Sequence, residues 1–470
     1  MFEAPYRAGT AMPSIAARAI PPETDLLAIV PWQPKSIRDT GLERDVVLAL
    51  VAKAIHQIGK SHLPVLVGKL RFSLGVLREA LDLLVGEQLA EVAWRGETEV
   101  DVQYRLTQAG RGYAADCMAR CRYIGPAPVT LEAFCTVLAR DRVRHAQAGR
   151  IGAPELAEAL AEDGIDGALR EQLGAALHSG RALLLHGPSG SGKSTLARKL
   201  GRLLHGVVGV PYAIQIGEHI VQFHDPLVHL APPPLARQNE DRRAADMRWT
   251  ICQRPVLQVG AELSRDMLDL RYDVGSGIYH APPHFQASGG LLVIDDLGRQ
   301  RIPAAELLNR FLGPLDVGTD VLSFQGGRGE RVPFAVSLVF ATNLAPQALF
   351  DEPSLRRIGY KVHLGALSEA NYRALLRRQC RALRVPYEDE GADYLLRHLH
   401  ATSGRPLLAS YPSELLGRLL DFAGFAGRTP RLSAAALEQA WGSMFACSAA
   451  PCSNDALTAL PHGAALFGER

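Results

Sequence analysis

The sequence predicts an α/β protein: a parallel sheet flanked by helices, with a C-terminal helical segment and an N-terminal module of helices and a hairpin. Three observations carry that expectation. A short buried run, Ala182–Leu185, opens onto a glycine-rich loop, and a helix follows from Leu196. Two more apolar runs, Leu291–Ile294 and Val336–Ala341, each end in polar residues, as central parallel strands do when they deliver side chains to one sheet edge. Residues 366–445 read as helical throughout, closing with the run Ser433–Phe445.

Taken in chain order, residues 1–37 hold six prolines and no sustained periodicity, which predicts a flexible leader. From Leu42 to Ile58, apolar residues recur at helical spacing until Gly59 ends the run. Leu63–Leu70 predicts a second helix and Ser73–Leu89 a third. Ala90–Trp94 and Glu99–Leu106 predict two strands joined through Arg95-Gly96-Glu97-Thr98. Three helices and then a hairpin is the layout of a winged helix-turn-helix, placed here at residues 38–125. That stretch carries twelve Arg/Lys and eleven Asp/Glu. Phosphate contacts dominate nucleic-acid affinity, so Glu79, Asp82 and Glu87 on the third helix, with Glu97, Glu99 and Asp101 in the hairpin, work against duplex binding. DNA binding through 38–125 is possible on this reading but not favoured. Residues 126–180 predict a helical linker, with its last helix at Gly167–His178.

Composition bounds the remaining classes. The chain has 470 residues, 47% hydrophobic and 21% charged, enough for a large core and about three domains. The net charge of +2 excludes a chain-wide polycation. Seven cysteines without regular spacing form no disulfide framework, and Cys117 with Cys121 lack a second close pair to complete a metal set. Neither a signal peptide nor an eighteen-residue apolar run is visible, which predicts a cytoplasmic protein without a membrane span.

The chemistry sits in Gly187-Pro188-Ser189-Gly190-Ser191-Gly192-Lys193-Ser194-Thr195, which fits the phosphate-binding pattern G-x-x-x-x-G-K-[ST] between a strand and a helix. Its glycines let backbone N–H groups turn around phosphates, Lys193 reaches the terminal ones, and the Ser194 hydroxyl is a Mg2+ ligand. A hundred residues on, the strand ending in Asp295-Asp296 offers Asp295 to the Mg2+ shell and Asp296 to polarise an attacking water. Aspartate at the second position is one methylene shorter than the more usual glutamate. Thr342-Asn343 ends the third run, and the Asn343 amide can hold that water. ATP and Mg2+ are the cofactors these residues imply.

Together these motifs resemble those of AAA+ ATPases: Walker A at 187–195, Walker B at 291–296 and sensor 1 at Asn343. The resemblance implies a P-loop AAA+ core at 181–365, a lid domain at 366–445 and a flexible tail at 446–470. Phe350-Asp351-Glu352-Pro353-Ser354-Leu355-Arg356-Arg357-Ile358 resembles the superfamily's arginine-finger box, which implies that Arg356 or Arg357 acts in a neighbouring subunit of a ring, a homo-oligomer and most simply a hexamer. Ser413 stands where a sensor 2 arginine is often found, so either Arg405 or Arg418 substitutes for it or nucleotide sensing by the lid is weakened. Phe285–Gly290 resembles the approach to Walker B in bacterial enhancer-binding activators, so Val274–His284 reads as either an inserted engaging loop or a packed hairpin. The second strand is placed near Tyr212–Ile216, with a helix at Glu262–Leu270.

The whole is similar to bacterial predicted ATPases with chaperone activity, associated with Flp pilus assembly, that carry an N-terminal winged-helix region. Arg122–Pro128, Leu292–Gln300 and Val339–Asn343 are the sharpest passages. That resemblance implies ATP hydrolysis driving remodelling of a protein client. An ATP-gated DNA-binding regulator and an ATP-binding scaffold with little turnover are the alternatives.

Overall fold

The computed structural model describes residues 28–97, 102–148, 151–161, 163–232 and 244–445. The first 27 residues of the expected leader, the start of the second hairpin strand and the tail from 446 lie outside them. The chain divides into two compact units, one within residues 1–160 and 166–365, the other within 161–165 and 366–470.

In the first unit, helices Arg44–Ile58, Leu63–Leu70 and Leu74–Gly86 precede a small sheet of β1 (Ser61–His62), β2 (Ala90–Arg95) and β3 (Val102–Leu106), ordered β1-β3-β2 and antiparallel. The helices form where their apolar stripes close one core. Val47, Val51 and Ile55 of the first meet Leu66 and Leu70 of the second and Leu77, Leu81 and Leu84 of the third. Ser73 caps the third helix by accepting from Val76 N–H at 3.2 Å.

Within the expected helical linker, residues 126–160 pack into the first unit. β4 (Val129–Thr130) joins a second sheet, and Phe134, on the helix Leu131–Ala148, is buried among Phe223, Trp249 and Phe285 at ring distances of 5.0, 6.4 and 5.5 Å. Residues 28–37 are not a free leader. Ile29 and Val30 are buried, Gln33 N–H donates to Ala244 O at 2.8 Å, and Asp246 N–H donates to Pro31 O at 2.9 Å. Proline richness set the sequence expectation, but the apolar pair Ile29-Val30 has a core to enter.

The central sheet is built from β5 (Leu183–His186) and strands far down the chain. Between them come β6 (Val207–Pro211), β7 (Ala213–Ile216), β8 (His219–Gln222) and β9 (Trp249–Gln253). Then β10 (Val256–Val259) enters the central sheet. Next are the hairpin β11 (Arg271–Asp273) and β12 (Ile278–His280), the central β13 (Leu291–Ile294), the hairpin β14 (Thr319–Ser323) and β15 (Gly329–Pro333), β16 (Ser337–Thr342) and β17 (Tyr360–His363). The central order is β10-β13-β16-β5-β17, every pair parallel. Its three inner strands, β13, β16 and β5, are buried apolar runs because helices, including Lys193–Arg202 and Ala304–Val317, cover it.

Two sequence expectations are corrected here. The sheet's second strand is Val256–Val259; Ala213–Ile216 lies instead in the mixed sheet β11-β12-β8-β7-β4. Both runs are apolar, and hydropathy does not record which sheet a strand joins. In place of a helix at Glu262–Leu270 there is one 3-10 turn, Arg265–Leu268. Val274–His284 forms the β11–β12 hairpin and the start of a short helix, Pro283–Gln286, with Tyr279 buried and Val274 exposed.

The second unit is helical. Glu369–Leu383, Asp389–Tyr394 with its π-helical continuation Leu395–His400, Tyr411–Phe425 and Ala434–Met444 bury Tyr372, Leu376, Leu395, Leu415, Leu419, Leu437 and Trp441 together. Asn371 Nδ2 donates to Gly164 O at 3.0 Å and Arg378 pairs with Asp163, which ties the short piece 161–165 to this unit. No helix among the described residues is long and apolar enough to cross a membrane.

Candidate nucleotide site

Because the central strands are parallel, their C-terminal ends gather on one edge. The register pairs Leu185 with Ala341 and Phe340 with Ile294, so β16 stands between the strand that opens the glycine loop and the strand that ends in acids. The loop after β5, the Asp295-Asp296 turn after β13 and Asn343 after β16 therefore leave the sheet side by side.

Loop residues 187–192 carry the backbone shape the pattern requires. Gly190 and Gly192 sit at φ 83° and 94°, where an L side chain is strained. At Gly187 a Cβ would lie 2.1 Å from the Leu364 carbonyl oxygen. Pro188 and Ser189 are exposed, and Ser191 is buried. Gly192 is the N-cap of the helix Lys193–Arg202, so the free amides and positive dipole end of that helix open into the loop. Lys193 folds back over it, its Nζ donating to Gly187 O (2.9 Å), Pro188 O (2.8 Å) and Ser191 Oγ (3.4 Å). Burial holds its ammonium below the usual lysine range, and the charges of Asp295 and Asp296 offset part of that. Thr195 follows, half-buried, on the same first turn.

Ser194 Oγ donates to Asp295 Oδ1 at 2.9 Å across 101 residues of sequence. Asp295 Oδ1 also accepts from the Asp296 N–H at 3.0 Å, and Oδ2 accepts from Gln258 Nε2 at 2.7 Å. A serine hydroxyl beside a carboxylate is a hard oxygen pair, and it fits Mg2+, which takes few protein ligands and completes its shell with water and phosphate. Among the described residues no cluster of three or more His, Cys, Asp or Glu forms an all-protein metal site, Cys117 and Cys121 included. Asp296 is exposed and holds φ at 50°, a left-handed conformation that aspartate tolerates better than most side chains.

Asn343 is half-buried just past β16, where Thr342 Oγ1 donates to Leu297 O at 2.8 Å. Arg356 and Arg357 lie on the helix Glu352–Arg357, capped by Asp351. Both are solvent-facing: Arg356 pairs with Glu352 at 2.5 Å and Arg357 with Asp316 at 3.3 Å. In the helical unit Ser413 Oγ donates to Ser410 O at 2.9 Å in the first turn of Tyr411–Phe425, Arg405 lies 3.5 Å over the Phe445 ring, and Arg418 Nε is buried without a hydrogen bond among the described residues.

Sequence reasoning missed three polar residues around the acids: Gln258, Thr342 as a bonding group, and Gln300. Gln258 left a trace, since it interrupts the otherwise apolar Val256–Val259. Gln300 left none. It donates from Nε2 to Asp295 O at 2.7 Å and accepts at Oε1 from Gly298 N–H at 2.8 Å.

Comparison with known proteins adds little to this geometry. A family model described as "Domain of unknown function (DUF8689)" matches residues 368–443, all within the helical unit. No curated protein matches the chain. Among solved structures, NtrX from Brucella abortus in complex with ATP is similar at 16% identity and a TM-score of 0.38, over 67% of this chain and 62% of that one. The Thermotoga maritima RuvB Holliday junction branch migration motor is similar at 15% identity and a TM-score of 0.35, over 59% of this chain and 69% of that one. The chain thus spans less than two thirds of the NtrX chain, and likeness at this level identifies no activity.

Proposed function

We propose that this chain is an AAA+ ATPase that binds and hydrolyses ATP with Mg2+, works as a ring and remodels a protein partner. The observation that carries the reading is the 2.9 Å bond between Ser194 of the glycine loop and Asp295 of the acid strand, with the Asn343 strand between them. In this reading the loop amides 189–194 and Lys193 bind the phosphates, and Ser194 and Asp295 hold the metal. Mg2+, when bound, neutralises charge on the phosphate oxygens. Asp296 accepts a proton from the attacking water and Asn343 orients it. Arg356 or Arg357 reaches the nucleotide of a neighbouring copy. Their present partners are surface carboxylates, whose loss costs little, so either guanidinium is free to exchange one for a phosphate.

The winged-helix layout of 38–125 then serves as a protein adaptor, and the 366–445 helices as the lid. One observation weighs against the DNA-regulator alternative. Readers of this kind place the N-terminal end of the third helix in the major groove. Here that end is covered by the chain itself: Ser73 Oγ donates to Pro34 O at 2.6 Å and Ile37 N–H donates to Glu79 at 2.7 Å. Lys35 O comes so near Gly75 that a Cβ there would lie 2.5 Å from it.

The test is ATP turnover against protein concentration, with size by light scattering, for the wild type, Lys193→Ala and the double variant Arg356→Ala/Arg357→Ala. Turnover rising with assembly, lost in Lys193→Ala and falling at least tenfold in the arginine variant, is the expected result. Wild-type turnover in Lys193→Ala would remove the site, and turnover independent of concentration would remove the ring.

A further inference from the structure

Resting on that nucleotide reading, we infer that Gln300 is a positioning residue that clamps the Asp295-Asp296 turn in its working shape. The turn has an unusual task. Asp295 N–H continues the ladder on one side, donating to Val259 O of β10 at 2.8 Å, and Leu297 N–H donates to Ala341 O of β16 on the other side at 2.7 Å. Asp296 lies between these anchors, and its φ of 50° turns the chain from one neighbour strand to the other.

That region costs a side chain free energy even where aspartate tolerates it, so the surroundings of Asp296 help to hold it there. Gln300 supplies much of the constraint, because its one amide grips the backbone on both sides of Asp296. Nε2 donates to the carbonyl of Asp295, and to Gly260 O at 3.5 Å, while Oε1 accepts from the N–H of Gly298. Gly298 has to be glycine for this: it holds φ at 103°, and a Cβ would lie 3.0 Å from a Leu344 methyl. Thr342 secures the next carbonyl, that of Leu297. Gln300 touches neither acid's carboxylate, so its effect passes through the backbone that aims them.

The experiment uses the full chain with Gln300→Met, which keeps the side-chain length and removes donor and acceptor, and Arg299→Met as an exposed control in the same turn. ATP binding is measured by calorimetry with and without Mg2+, alongside kcat, KM and the thermal midpoint. Gln300→Met is expected to lower kcat at least tenfold with KM within threefold. Mg2+-free ATP affinity stays at the wild-type value, and the gain in affinity on adding Mg2+ shrinks. Arg299→Met stays within twofold of wild type throughout.

Wild-type kcat and Mg2+ gain in Gln300→Met would overturn the clamp. So would an equal loss of Mg2+-free binding accompanied by a lower thermal midpoint, which marks a merely structural side chain. If the wild type binds ATP without turnover, the Mg2+ gain alone decides. Failure of the nucleotide reading is distinguishable, because Lys193→Ala would then bind ATP as the wild type does.

Discussion

His229 offers a test of the fold beneath the site. Its Nδ1 accepts from the Asp225 N–H at 2.9 Å and its Nε2 bonds Gln286 O at 2.9 Å, so the neutral ring with hydrogen on Nε2 satisfies both backbone partners. A second proton would point at the Asp225 N–H, inside a core where His229 is 3% exposed. Burial accordingly pushes its pKa down from 6.5 to about 4, with the bond to Gln286 and the charge of Asp225 working the other way. The sign follows from linkage. As pH falls below 6.5 the unfolded chain takes up the proton and the folded one does not, so stability present above 6.5 is lost towards 4. Between pH 7 and 5 that loss is about 2 kcal/mol, and the full interval caps it at about 3 kcal/mol. Urea unfolding of the wild type and His229→Gln at the two pH values is the assay. His284 and His400, also lowered by burial, act on both proteins and drop out of the difference; His224 stacks on His229 at 5.5 Å, so the comparison is made in a His224→Gln background. A pH-dependent loss of equal size in His229→Gln would refute the reasoning.

Two further outcomes are expected. Asp296→Asn should bind ATP as the wild type does and turn it over at least ~100-fold more slowly, as loss of a general base does; single-turnover product formation at the wild-type rate would remove Asp296 from water activation. Arg248→Met should cost about 3–5 kcal/mol in urea unfolding of the unit that holds it, because it strands the buried Asp246 carboxylate. It also strands the carbonyls of Thr40 and Pro128, each bonded by Arg248 Nη1 at 3.1 Å, while the Asp246→Leu/Arg248→Met pair should recover part of the loss. A loss under about 1 kcal/mol would show that this buried pair is not what ties the N-terminal helices to the second sheet.

What the sequence made legible was chemistry that lies within one short stretch. The glycine loop, the strand before it and the helix after it need only each other, so Gly187–Thr195 could be placed from spacing alone. The third helix was equally local. The acids were read correctly as a strand end, yet what Asp295 touches depends on Ser194, a hundred residues earlier, and on Gln258, in a strand that hydropathy assigned to no particular sheet. Runs such as Ala213–Ile216 and Val256–Val259 are equally apolar. They differ only in the partners that accept their hydrogen bonds, and those partners are set by the helices and sheets packed around them.

The N-terminal segment shows how the two kinds of information combine. Charge counting over 38–125 was enough to argue against a phosphate-binding face, because acids on the third helix and hairpin repel a duplex whatever the fold. It could not say what occupies the helix instead. The answer lies in residues whose composition looked like a leader: Pro34 and Ile37 exchange hydrogen bonds with Ser73 and Glu79, and Lys35 passes close over Gly75. Glu79 is thus both a repulsive charge and the acceptor that holds the covering segment 34–37. A duplex would have to displace that segment and leave the buried Ser73 hydroxyl without its Pro34 acceptor, at a cost of about 1–3 kcal/mol for a polar group stranded out of water. Cover at the N-terminal end and the acids further along, Glu79, Asp82 and Glu87, act on the same helix, which supports the protein-adaptor reading proposed for this module.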